Sequence, residues 1–181
     1  MSNQALFFAL TFLLFLPAKV SAVTSQEVDI FSDEALIKEE KLLDRLKPSE
    51  KAKVRRALLL LKEAINTASV STDFEEIAGT SRRADGAVNE AVKVIPNGVL
   101  KGTLISSSKA LGASFVLRLL NKGTLDPSEP KTAEALEGIY LRFQLAGVPA
   151  YERPAKTLDY ARAHLLIASK VGERLGIVLP K

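Results

Sequence analysis

FEEIAGTSRRADGAVNEAVKVIPNG, residues 74–98, decides the fold class of this chain. Its apolar and small residues recur at Phe74, Ile77, Ser81, Ala84, Val88, Ala91 and Ile95, in steps that alternate three and four. A strand repeats every two residues, so only a helix returns to one face at that spacing. Thr72 and Glu75 stand three apart, the spacing of a capping box that would start this helix. Pro96-Asn97-Gly98 stops it.

The same period extends in both directions. Upstream, Val54, Leu58, Leu61, Ile65 and Ala68 predict a helix over 50–68 with Ser49 as its cap. Pro48 separates it from an earlier helix over 33–46, capped by Ser32, with Asp33 and Glu34 placed favourably for the helix dipole. Downstream, a helix over 99–121 ends before Gly123. Another over 131–146 carries Ala133, Leu136, Tyr140 and Phe143, with Gly147 and Pro149 as its stop. The last begins near Pro154 and carries Leu158, Ala161, Leu165, Ala168, Gly172 and Leu175, with Ile177 packing back over its end. The apolar runs at 94–96 and 176–180 are short and contain Pro, which argues against strands. Steps averaging 3.5 make a narrow seam suited to near-antiparallel helix packing. The expectation is an all-α chain: an up-and-down helical bundle of five to six helices.

The N-terminus reads differently. ALFFALTFLLFL, residues 5–16, has no charge, and Val20 and Ala22 place small residues before a cleavage point. This is the pattern of a secretory signal peptide over 1–22, although MSNQ lacks the usual Lys or Arg. Twelve apolar residues are too few to cross a bilayer, which takes roughly 20. The remainder, 23–181, is expected to be one exported domain, in the periplasm, outside the cell or in an organelle lumen.

Composition excludes several classes. The chain has no Cys, so a thiolate nucleophile, a Cys metal site, a disulfide framework and a lipid anchor on Cys are all out. A single His, His164, with Ala161 three residues before it, cannot supply the paired Glu-x-x-His motifs of a di-iron carboxylate protein. The acidic pairs Glu39-Glu40 and Glu75-Glu76 fit the dipoles and solvated faces of helix starts. No glycine-rich phosphate loop, dinucleotide fingerprint or calcium loop occurs, so no cofactor and no metal are expected. The net charge of +4 and the absence of Trp disfavour nucleic acid and sugars as partners.

The segment GVLKGTLISSSKALGASFVLRLLNKGTL, residues 98–125, contains Ser106 and Lys109 at the S-x-x-K spacing of a serine nucleophile and its lysine in penicillin-recognising enzymes. Neither the S-D-N nor the K-T-G element of those enzymes is present. The better reading is a buried helix with Gly102, Ser106, Ala110 and Ser114 as a ridge of small residues, its serines bonding back to their own helix. The same segment holds Lys101, Lys109, Arg118 and Lys122 without an acid between 94 and 125, which offers an anion- or lipid-facing surface. A second cluster, Tyr140, Arg142, Tyr151, Arg153 and Tyr160, gathers residue types favoured at protein interfaces. The functional expectation is a non-enzymatic binding or accessory protein that presents helix faces, or that cluster, to a protein partner. A peripheral membrane role through the basic helix stands second, and a Ser106/Lys109 hydrolase third.

Overall fold

The computed structural model describes residues 37, 39–41 and 43–177. The expected signal peptide at 1–22, and Ser32, Asp33 and Glu34 of the expected first helix, lie outside the described residues. Within them the chain is all-helical, and no strand occurs. The helices are α1 (Pro48–Val70), α2 (Phe74–Val92), α3 (Val99–Asn121), α4 (Pro130–Arg142) and α5 (Arg153–Arg174). A shorter segment, helical at 37, 39–41 and 43, precedes α1.

Start signals act one or two residues away from where the spacing puts them. α1 opens at Pro48, whose missing N–H costs nothing at a helix start. Lys47, not Ser49, is its cap residue, and the Lys47 N–H donates to Glu50 Oε2 at 2.8 Å. α2 is capped by Asp73, not Thr72: Asp73 Oδ1 accepts from the Glu75 N–H at 2.9 Å. A carboxylate beside a helix N-terminus outcompetes a neighbouring hydroxyl because it also meets the dipole.

α4 ends at Arg142, four residues before the expected 146. Gln144 turns left-handed, with φ of 51°. Its turn lets the Leu145 N–H reach the Tyr140 carbonyl at 2.9 Å. A left-handed non-glycine residue costs about 1 kcal/mol. Leu145 is 1% exposed, and burying a leucine contributes about 2 kcal/mol, so the early stop wins. The buried face of α4 is also rotated from expectation. Thr132, Ala135, Leu136 and Ile139 point inward, whereas Ala133 is exposed.

α1 buries Val54, Leu58, Leu61, Ile65 and Ala68, and α2 buries Ile77, Ser81, Ala84, Val88 and Ala91, as the periods require. On α5, Leu165 is only half-buried. α3 and α5 make the most extensive helix pairing, followed by α1 with α2. α3 and α5 run antiparallel: Ser107 Oγ donates to the Ala161 carbonyl at 2.8 Å, and Ser114 Oγ to the Pro154 carbonyl at 2.7 Å. One heptad on each helix separates the two bonds. α1 also runs opposite to α5, since Lys51 Nζ reaches the Leu175 carbonyl at 3.2 Å while Ser69 meets Arg162 near the other end. The core is continuous through α1, α2, α3 and α5, and the inner face of α4 packs onto it.

The start of α3 is held from a distance. Glu39, 6% exposed, accepts from the Val99 N–H through Oε2 and from the Leu100 N–H through Oε1, both at 2.7 Å. A Cβ on Gly98 would fall 2.7 Å from the Glu39 carboxyl carbon, so a larger residue would push the carboxylate out of this position. Glu39 therefore serves the dipole of α3 and is buried there, where its sequence position suggests a solvated start of its own helix.

Candidate functional site

α3 is apolar or small over most of its circumference, and its buried residues include Leu104, Ser107, Ala110, Leu111, Ser114 and Phe115. Gly102 is exposed and Ser106 only half-buried, so the inward small ridge begins one residue later than the spacing from Gly102 suggests. Ser107 and Ser114 bond across to α5 rather than back to their own helix. Ser108 Oγ donates to Asp85 Oδ1 on α2 at 2.8 Å. Each hydroxyl lets a partner helix come close without leaving a polar atom stranded.

The Ser106/Lys109 pair gains little from this setting. Among the described residues no hydrogen bond joins the two. A serine nucleophile needs its base within hydrogen-bond reach and donors for an oxyanion. Partial burial, and secondarily the Arg142 guanidinium, push the Lys109 ammonium below its ordinary pKa.

The four cations of α3 do not form one surface. Lys101 and Lys109 are half-buried on one side of the helix. Arg118 donates to the Ala68 carbonyl at the C-terminal end of α1, and burial lowers its pKa. Lys122 stacks its ammonium 4.4 Å over the Phe74 ring. Arg118 thus satisfies a helix end, and Lys122 covers an aromatic edge.

The tyrosine and arginine cluster is partly brought together. The Arg153 guanidinium lies 4.6 Å over the Tyr140 ring, and its Nε donates to the Val148 carbonyl at 2.8 Å. Tyr160 packs its ring 5.6 Å from Phe143 at 54°. These three side chains hold the α4–α5 connection against the core. Tyr151 stands apart and is 76% exposed, its hydroxyl pKa raised by a hydrogen bond with Glu152. Arg142 is half-buried beside Lys109.

Beside this cluster lies a cleft of about 390 Å³ on the outer side of α4. Ala133, Leu136, Tyr140 and Leu141 supply its apolar wall and Glu137 its charge. Leu141 is 65% exposed. Of the expected seam Ala133, Leu136, Tyr140 and Phe143, Leu136 and Phe143 are buried in the core and Tyr140 packs against it, whereas Ala133 is exposed and lines the cleft. Among the described residues, no group of His, Cys, Asp and Glu gathers as a metal ion would require. His164 is half-buried on α5.

Sequence reasoning passed over the basic start of α1. The Arg55-Arg56 doublet has Glu and Asp around it in sequence, and two of those acids are engaged away from it. Glu50 is bonded to the Lys47 backbone, and Glu40 pairs with Arg174 at 2.9 Å. A charge count over residues 45–56 alone would have found it.

No family model, no curated protein and no solved structure matches this chain.

Proposed function

We propose that this chain is an exported, non-enzymatic, up-and-down helical-bundle protein that binds a protein partner at the α4–α5 end. The observation that carries the reading is the outer cleft of α4, an apolar surface with Leu141 exposed beside Tyr140, with the exposed Tyr151 on the connection that follows. An exposed leucine and a tyrosine in the wall of a preformed cleft suit the aliphatic and aromatic anchors of protein interfaces. The antiparallel pairings of α5 with α1 and α3 support the bundle. Export rests on the signal-peptide pattern of residues 1–22. No helix among the described residues is long and apolar enough to cross a membrane.

A photo-crosslinking residue at Leu141, compared with one at the exposed Ala163 on α5, tests this reading. A single protein adduct at 141, absent at 163 and lost when Tyr151→Ala is added, is the expected result. Equal labelling at both positions, or none at 141, would end it. Lipid binding through the cations of α3 is the weaker reading, because Arg118 and Lys122 are occupied by α1 and Phe74.

A further inference from the structure

The densest one-sign stretch of the sequence lies at the start of α1. RLKPSEKAKVRR, residues 45–56, holds six cations and one acid, Glu50, whose carboxylate is committed to the Lys47 backbone. Among the described residues, no ion pair engages Lys47, Arg55 or Arg56, and Lys53 interacts at longer range with the Glu90 carboxylate of α2. Lys51 reaches the last turn of α5 and keeps its charge at the edge of the same surface. Arg83 of α2 borders this surface, but its pairing with Glu63 at 2.8 Å adds no net charge to it.

Apolar surface lies within this charge. Val54, Ala57, Leu58 and Leu61 face the core. The opposite line of α1 runs through Ala52, Arg55, Arg56 and Leu59; the first three are exposed and Leu59 is half-buried. Two shallow clefts meet along that line and share Ala52 and Arg55. The first, about 570 Å³, opens between Leu46, Pro48 and Ile177. The second, about 330 Å³, opens between Leu59, Leu60 and the guanidinium groups of Arg56 and Arg83.

We propose that this face of α1 docks on an anionic lipid surface. Lys51, Lys53, Arg55 and Arg56 meet the headgroup phosphates, while Ala52 and Leu59 settle at headgroup level. A helix with cations flanking a modest apolar line is suited to the membrane interface. Arginine and lysine stems lie along apolar surface while their charged ends reach phosphate. The face contains no aromatic residue, which a protein-binding hot spot or a single-stranded nucleic-acid platform would use. This surface is separate from the α4 cleft, so each can be tested alone.

The absence of Cys makes a local test direct. Ala52→Cys, and Ala133→Cys on α4 as the remote control, each take one environment-sensitive fluorophore on the full chain. Vesicles are phosphatidylcholine alone or mixed with phosphatidylglycerol. The expected result is a blue shift at position 52 on the anionic vesicles at low salt. The shift disappears at high salt and on neutral vesicles, and the probe at 133 stays silent. Arg55→Glu with Arg56→Glu should lower the partition constant about 25-fold or more, since each surface cation contributes roughly a fivefold factor. Both side chains are exposed, so helicity by circular dichroism should be unchanged. No shift at 52, equal shifts at 52 and 133, a shift that survives salt, or full binding by the double variant would each overturn the proposal. Insertion of the apolar run at 5–16 does not depend on lipid charge, so it would show as binding to the neutral vesicles, which report it separately.

Discussion

α3 and α4 are both helices by period, yet they relate to the core in opposite ways. α3 buries side chains on nearly every side and is bonded to α2, α5 and the segment before α1. α4 buries Thr132, Ala135, Leu136 and Ile139 and turns its remaining length outward. An all-round apolar helix has few ways to be placed. A short amphipathic helix has a choice of faces, and small differences in burial decide between them.

The largest test of this contrast is Phe115→Ala against Leu141→Ala. Phe115 is fully buried on α3, and its loss should cost about 4 kcal/mol in urea unfolding. Leu141 should cost about 0.5 kcal/mol or less. Similar losses at the two positions would break the comparison.

Next is the distant cap of α3. Glu39→Gln turns an amide donor toward one of two backbone donors and should cost about 2 kcal/mol. Gly98→Ala should cost a similar amount by displacing the carboxylate. The pair together should cost clearly less than their sum, because the second change has no cap left to remove. Additive losses would separate Gly98 from Glu39.

Ser107→Ala should cost about 1 kcal/mol, the net value of one buried hydrogen bond, while the equivalent change at the half-buried Ser106 should cost almost nothing. The smallest effect should be Lys109→Met. The folded pKa of Lys109 lies below its unfolded value, so near that window the unfolded chain holds more protons and wild-type stability rises with pH. The variant should therefore melt slightly higher at neutral pH, with the gap closing as pH approaches 10.5. A gap constant with pH would mean that burial of the charge is not its cause.

Period and punctuation made much of the fold readable. The limits of α3 follow directly from Gly98 and Gly123, and the inward residues of α1 and α2 from steps of three and four. The face of α4 was not legible because a threonine sits at its centre. Thr132 is buried with its hydroxyl donating to Glu129 Oε2 at 3.2 Å, a satisfaction that no hydropathy count reveals. Its C-terminus was hidden in the same way: Gln144 adopts a conformation that the eye assigns to Gly147.

The candidate sites were legible as residue types more than as places. Tyr140 and Arg153 do meet, and Tyr160 packs on Phe143, but largely to hold the chain. The cations of α3 looked like a patch because they are close in sequence without an acid between them. A helix spreads such residues around its axis, and Arg55 and Arg56 of α1 share a region that the sequence partly masks with Glu40 and Glu50.

The clasp between Glu39 and α3 has a consequence for the order of folding. Sixty residues separate the acceptor from the Val99 amide, and Gly98 offers the helix no side chain of its own. A contact of that span forms only after a long loop has closed, so the first turn of α3 lacks its partner while the rest of the helix propagates. In refolding followed by pulsed hydrogen exchange, the Val99 and Leu100 amides should gain protection after the middle of α3. In the native state they should exchange at the rate at which the segment around Glu39 detaches. Two backbone protons thus act as a clock for the closing of the N-terminal part of the molecule.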